Sequence, residues 1–355
     1  MRRFLVPGSL AIFLLVGAPA RAQTSEPLLG LFRDYLESLR VQAGIPGLSA
    51  ALVGRDNIIW DHSFGRQDVE RSVPATIDTP YHLDGLTQLL TSALVLRCVE
   101  DGLLSLNTPL GQFSPAVPEP QATIGQLLTH TSGAPADPVF THDLSRLAPL
   151  PMAIRRGCAG DSFRETLANQ LELIGMGDSV PGSDAVRIAP PAEGIPTASQ
   201  SERYRLVLNR LATPYVVSPL RRLVRSEYTE TTLTPSSGLI STVRDLATFD
   251  LALKHGDLLR APTLASAWSA PVTASGQRLP HGVGWFVQTY NGETIVWQFG
   301  VSDAGSSALI MSVPSRGLTL ILLANSSGLV RPFALEAGDL RVSPFGRLFL
   351  GLLVR

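Results

Sequence analysis

Lysine is almost missing from this chain of 355 residues. Lys254 is the sole one, and the other 28 basic residues are arginine. Leu251 stands three residues before it. A serine nucleophile with a lysine base one helical turn later, a pairing that activates a hydroxyl for acyl transfer, therefore occurs nowhere in the sequence. Charge is scarce as well. Charged residues make up 17% of the chain and the formal net charge is −1, so the composition gives no reason to expect nucleic acid as a partner. The six histidines are scattered, with no His-Glu-x-x-His or Cys-x-x-Cys spacing, so no metal site is expected. No glycine-rich phosphate loop occurs, and no cofactor is expected. Cysteine is limited to Cys98 and Cys158. An exported protein could pair them, but the place of Cys98 inside an apolar helix favours two separate core thiols.

Apolar residues are plentiful, at 45%, which places the chain among globular proteins. Its first residues are Met1-Arg-Arg, then the apolar run Leu10–Val16, then Ala20-Arg-Ala22. That is the pattern of a secretory signal peptide over 1–22, cleaved after Ala22, ahead of one domain over 23–355. The apolar run is shorter than the roughly 20 residues a membrane span needs, so no stable membrane anchor is expected after cleavage. Removing 1–22 takes away three arginines and no acid, which leaves a net charge of −4. A periplasmic or extracellular location follows.

The chain is organised around Thr79–Gly102. Leu89, Leu90, Ala93, Leu94, Val95, Leu96, Cys98 and Val99 cover nearly the whole circumference of a helix expected over Leu86–Asp101. A helix apolar on all sides is buried. Asp84 is the expected N-cap and Gly102 the expected C′ residue. Free backbone N–H groups and the positive dipole end then open at Gly85, where an enzyme would place a nucleophile or an oxyanion.

This stretch resembles the serine β-lactamase and D-Ala-D-Ala peptidase superfamily, nearest to its class C-like serine hydrolase branch. The family reads Thr-Pro-Phe/Tyr-x-Ile-Gly/Ala-Ser-x-Thr-Lys. Here the frame is Thr79-Pro-Tyr-His-Leu-Asp-Gly85-Leu-Thr-Gln88. On that resemblance the nucleophilic serine falls on Gly85 and its lysine partner on Gln88. The Gly44-Ile-Pro-Gly47, Leu127-Leu-Thr-His-Thr-Ser-Gly133 and Thr234-Pro-Ser-Ser-Gly238 runs match the family as well. The family's strand motif, Lys-Thr-Gly or His-x-Gly, falls on Gln298-Phe299-Gly300. Its Tyr-x-Asn tyrosine falls on Phe140 or His142, depending on where a gap is placed. The resemblance covers about Leu28 to Val354.

In chain order the pattern predicts an amphipathic helix at 27–42 and a hairpin at 48–64. Helical pieces follow at 163–174 and 202–211, and Thr242 with Asp245 reads as a capping-box variant. A meander runs over 282–326, with Asn291-Gly292 as a hairpin turn. A last helix starts at Ser343-Pro344. Local pattern gives an α+β chain. The resemblance implies a β-lactamase/transpeptidase-like architecture: an antiparallel sheet flanked by the first and last helices (about 23–75 and 236–355), a mostly helical half (about 76–235), and a cleft between them.

The reacting groups that the resemblance leads one to seek are absent, because glycine has no side chain and an amide has no useful pKa. Gly85, Gln88, His142 and Gln298 are thus expected to be vestigial, and the chain is expected to be an inactive binder of a small molecule, peptide or protein partner. The family's oxyanion hole maps onto the Gly85 and Val301 N–H groups, with Phe299 and Gly300 alongside. The competing expectation is a hydrolase of peptide, ester or lactam bonds with an unusual nucleophile, Ser302 or His142. Gly300-Val-Ser-Asp-Ala304 imitates a nucleophile elbow, but that needs a following helix, and a strand follows here. His130 and Ser132 are expected to serve a structural turn.

Overall fold

The computed structural model describes residues 26–189, 192–218, 220, 222–229 and 231–354; the signal segment expected at 1–22 lies outside them. Helix α1 (Glu26–Gln42) buries Phe32 and Leu36, one turn apart. Strands β1 (Gly47–Val53) and β2 (Ile58–Asp68) form the expected hairpin, and the two-residue β3 (Val73–Pro74) pairs with the end of β2. β4 (Tyr81–His82) leads through a 3-10 turn at Asp84–Leu86 into α2 (Thr87–Glu100), which is buried from Thr87 to Leu96.

The middle of the chain is mostly helical. It carries α3 (Ile124–Leu128), the β5–β6 pair (Thr131–Ser132 and Val139–Phe140), α4 (Leu150–Ile154) and α5 (Phe163–Leu173). β7 (Val180–Pro181), α6 (Ala198–Leu208) and the β8–β9 pair (Tyr215–Val217 and Leu223–Arg225) follow. Helix α6 starts four residues before the expected 202 because Thr197 and Gln200 close a full capping box. β10 (Leu239–Ser241) then pairs with both β4 and β7. Helices α7 (Val243–His255) and α8 (Ala261–Ala267) precede β11 (Phe286–Tyr290), β12 (Glu293–Ser302), β13 (Ser306–Val313) and β14 (Leu318–Ala324), and α9 (Pro344–Leu353) comes last.

The main sheet has seven antiparallel strands in the order β11-β12-β13-β14-β1-β2-β3. Its register joins the two ends of the chain: Leu48 of β1 faces Phe64 on one side and Ala324 on the other. Strand alternation divides its side chains between two cores. Leu48, Ala50, Leu52, Leu320, Leu322, Trp297 and Phe299 pack with α1 and α9. Ala51, Val53, Val296, Ile310, Ile321 and Leu323 pack with α2 and α7. The fold is therefore the expected α+β arrangement, with a large antiparallel sheet between its terminal helices and the helical part. Among the described residues no helix is long and apolar enough to cross a membrane.

Three expectations need correction. Cys98 and Cys158 form a disulfide, with Cα atoms 5.6 Å apart. A helix apolar all round gives no direction to any one of its residues, so the sequence hid that Cys98 faces the turn at Arg155–Ala159. Asp84 does not cap α2. The capping position is Leu86 without a side-chain bond, while the Asp84 carboxylate accepts a hydrogen bond from the Ser306 hydroxyl. Thr242 does cap α7, accepting from Asp245 N at 3.1 Å, but the Asp245 carboxylate turns away to accept from Asp178 N and Ser179 Oγ, both at 2.8 Å.

Candidate functional site

The start of α2 is fixed by backbone bonds. Leu83 N donates to Leu239 O at 2.9 Å, and Leu86 N donates back to Leu83 O at 3.0 Å. Asp84 takes a positive φ of 48°, and Thr87 N donates to Asp84 O and Gly85 O. The Gly85 N–H stays outside these turn bonds. β12 comes against this turn backbone to backbone, and only glycine permits the approach. A Cβ on Gly300 would overlap Leu83 O, and it would stand 2.6 Å from Leu86 N and 2.9 Å from Gly85 N. Val301, next along β12, is half-buried. The side chain of Phe299 packs in the core with Trp297 and Phe286 and against the His142 ring, while its backbone oxygen borders Gly85.

The space of a side chain at Gly85 is narrow. A Cβ there would meet Leu144 Cδ1 at 3.1 Å and Phe299 O at 3.3 Å. Phe140 and His142, the two residues weighed for the tyrosine position, both lie beside His130 and Phe286. The His142 ring lies 4.8 Å from that of His130, 5.4 Å from that of Phe299 and 5.6 Å from that of Phe286. The Phe140 ring lies 6.5 Å from that of His130 and 6.1 Å from those of His281 and Phe286. Leu144, two residues after His142, covers Gly85.

Gln88 and Gln298 each meet a buried histidine. His130 is fully buried at a φ of 51°. Its Nδ1 accepts from Asp143 N at 3.4 Å, which leaves its Nε2–H to donate to Gln88 Oε1 at 2.8 Å. The Gln88 amide nitrogen is buried and has no partner among the described residues. On β12, alternation puts Gln298 on the same side as Val296, toward α2. Its NH2 group donates to Gly284 O and to His281 Nε2, both at 3.2 Å, and its Oε1 accepts from Phe299 N at 2.9 Å. His281 Nδ1–H donates to Gly282 O at 2.6 Å.

Three imidazoles thus lie together behind the motif positions, with His281 4.8 Å from His130 and at 90° to it. Burial pushes His130 down to about 3, helped by the nearby His142. Burial likewise lowers His142, and it lowers His281 well below the usual range with His130 and His142 adding to it. All three are neutral at pH 7. Both ring nitrogens of His130 and of His281 are already committed, and among the described residues no group of three His, Cys, Asp or Glu is arranged to hold a metal. His142 Nε2 is buried with no partner among the described residues.

The remaining candidates are apart from this cluster. Ser302 closes β12, and its Oγ accepts from Ala304 N at 3.1 Å in the turn to β13. A strand, not a helix, follows, so the elbow geometry is absent. His130 and Ser132 share no hydrogen bond among the described residues. Sequence reasoning missed His130 and His281 as partners of the two glutamines. It also missed Leu144, although the frame Phe140-Thr-His-Asp-Leu144 already put leucine where the family has asparagine.

A family model described as beta-lactamase matches residues 31–341. Protein flp of Staphylococcus aureus (strain MW2) is 24% identical over 312 residues, 79% of this chain and 60% of that protein; the chain thus spans about 60% of the length of this relative. Among solved structures, the octameric penicillin-binding protein homologue from Pyrococcus abyssi superposes with a TM-score of 0.73 at 20% identity, covering 92% of this chain and 78% of that one. FmtA from Staphylococcus aureus gives a TM-score of 0.70 at 12% identity, over 93% and 90% of the two chains.

Proposed function

The chain belongs to the β-lactamase family, and from that premise we propose that it is a catalytically silent member that acts by binding a small molecule or peptide. One observation carries this reading. No motif position offers a reactive group: Gly85 has Leu144 in the side-chain space, Gln88 is tied to His130, and Gln298 is tied to His281. Removing members of such a catalytic unit costs on the order of a million-fold in turnover.

Backbone donors survive the loss of side chains. The tight seat of Gly300 on the turn keeps the Gly85 N–H beside β12, where the Val301 N–H is the second candidate donor. The Asp84 carboxylate next to this corner favours a neutral carbonyl over an anionic group. The Cys98–Cys158 bond supports a periplasmic or extracellular location, since such bonds persist in oxidising compartments.

Intact-mass spectrometry after incubation with a penicillin and, separately, a fluorophosphonate tests the reading. Unchanged mass is expected with both. A stoichiometric adduct on a single serine, Ser302 above all, would establish the second reading, a hydrolase with an unusual nucleophile. The one observation favouring that alternative is the unpartnered, neutral His142 Nε2, which could serve as a base.

A further inference from the structure

A cavity lies behind α2, away from the histidines. It measures about 220 Å³ and opens between α7, α8 and the sheet. Leu89, Phe249, Trp268, Trp285, Val296 and Ile310 are among the apolar residues that line it. Leu89 follows Gln88, and Trp285 follows Gly284, so the cavity shares a partition with the motif positions without containing any of them.

Its polar groups are few and unequal. Lys254 is saturated: it pairs with Asp250 Oδ2 at 2.6 Å and donates to Gly54 O at 2.8 Å and Val53 O at 3.3 Å. Asp250 is matched as well, since its other oxygen lies 2.9 Å from Thr319 Oγ1. This pair is a neutral floor. Two donors carried by lining residues have no protein partner among the described residues. The Trp268 indole N–H is buried with no partner among the described residues. Arg55, exposed at the rim, makes no ion pair among them. The cavity therefore presents an apolar, tryptophan-lined interior and, at its mouth, a positive charge with no ion-pair partner among the described residues.

We propose that this cavity binds a planar aromatic carboxylate of about bicyclic size, its rings in the tryptophan-lined interior and its carboxylate on Arg55 at the mouth. An apolar cavity of about 150 Å³ takes benzene, so this one has room for a second ring. An aromatic ammonium would face the like charge of Arg55, and a neutral ring would fill the space yet leave Arg55 without a counter-charge.

Calorimetric titration of the mature protein with indole-3-carboxylate and with indole at low salt tests this. The acid is expected to bind more tightly than indole. Arg55→Gln is expected to weaken the acid roughly tenfold, as for a lost charge-assisted hydrogen bond, and to leave indole unchanged. Leu264→Trp, which fills the cavity, is expected to abolish both. Should that variant misfold, the wild-type indole N–H resonance of Trp268, assigned with Trp268→Phe, supplies the readout and is expected to shift with the acid. Absence of heat and of a resonance shift at millimolar acid would overturn the proposal. So would equal binding of acid and indole, or an unchanged acid affinity in Arg55→Gln.

Discussion

Gln88 Oε1 stands 2.8 Å from His130 Nε2, so the residue at the lysine position of the family frame is held by a buried, neutral imidazole. A mirror of this contact sits on β12, where Gln298 meets His281. The two contacts differ in how much they satisfy.

Gln298 uses both amide protons and its oxygen, whereas among the described residues the Gln88 side chain makes one hydrogen bond and its nitrogen has no partner. Replacing each with leucine leaves unmet polar groups behind, about 1–3 kcal/mol apiece. Gln298→Leu is expected to lose more stability than Gln88→Leu in urea unfolding. Equal losses would show that the hydrogen-bond inventory does not set the order.

Gly85→Ser is expected to fold, to lose about 1–2 kcal/mol from crowding, and to gain no reactivity toward a fluorophosphonate. The crowding partner is the flexible end of Leu144. A double-mutant cycle with Leu144→Ala should therefore show favourable coupling of about 1 kcal/mol. Strict additivity would mean that Leu144 does not occupy this space.

The Cys98–Cys158 bond closes a loop with a sequence separation of 60. Loop-closure entropy puts its contribution near 4 kcal/mol. Reduction, or the Cys98→Ala/Cys158→Ala pair, is expected to move the urea midpoint down by a corresponding amount. A shift within experimental error would show that loop-closure entropy does not set this bond's contribution.

Acid should unfold the chain through its buried histidines. Burial lowers His82 to about 4 and His130 to about 3, against about 6.5 in the unfolded chain. Between those values the unfolded chain takes protons that the native state refuses. Stability from these groups is thus complete above pH 6.5 and falls as pH drops below it. Asp245, raised to about 6 by burial, works the other way and gains from protonation below that pH. His82 stacks on Tyr228 with centroids 4.0 Å apart. His82→Phe keeps the ring and discards the titration, so it should change stability little at pH 7 and raise it near pH 4.5. Parallel stability-versus-pH curves for the two proteins would contradict this.

The large elements were readable because their periods are unambiguous. Alternation in 282–326 and the Asn291-Gly292 turn gave the meander, and the all-apolar face of 86–101 gave the buried helix. What was hidden is directional. Helix α2 is apolar on every side, so nothing local said that Cys98 faces Cys158. Asp84 has the chemistry of a cap, yet its positive φ turns the carboxylate toward Ser306, a partner 222 residues away in sequence. The motif glutamines were located by their frame, but His130 and His281 reach them from separate loops that no spacing rule connects. Leu144 carried a signal in the frame itself, and its contact with Gly85 needed coordinates.

The pairing of Leu48 with Ala324 also sets a timetable. β1 lies in the middle of the sheet and is buried on both faces, yet one of its two neighbours is made from residues 318–324. Until almost the whole chain exists, the first hairpin carries an apolar strand with one open side. Contacts this distant in sequence form slowly, because loop closure precedes the reward of pairing. Folding of this protein is therefore gated by its last third, and the waiting strand β1 is the segment that a holding chaperone would have most reason to cover.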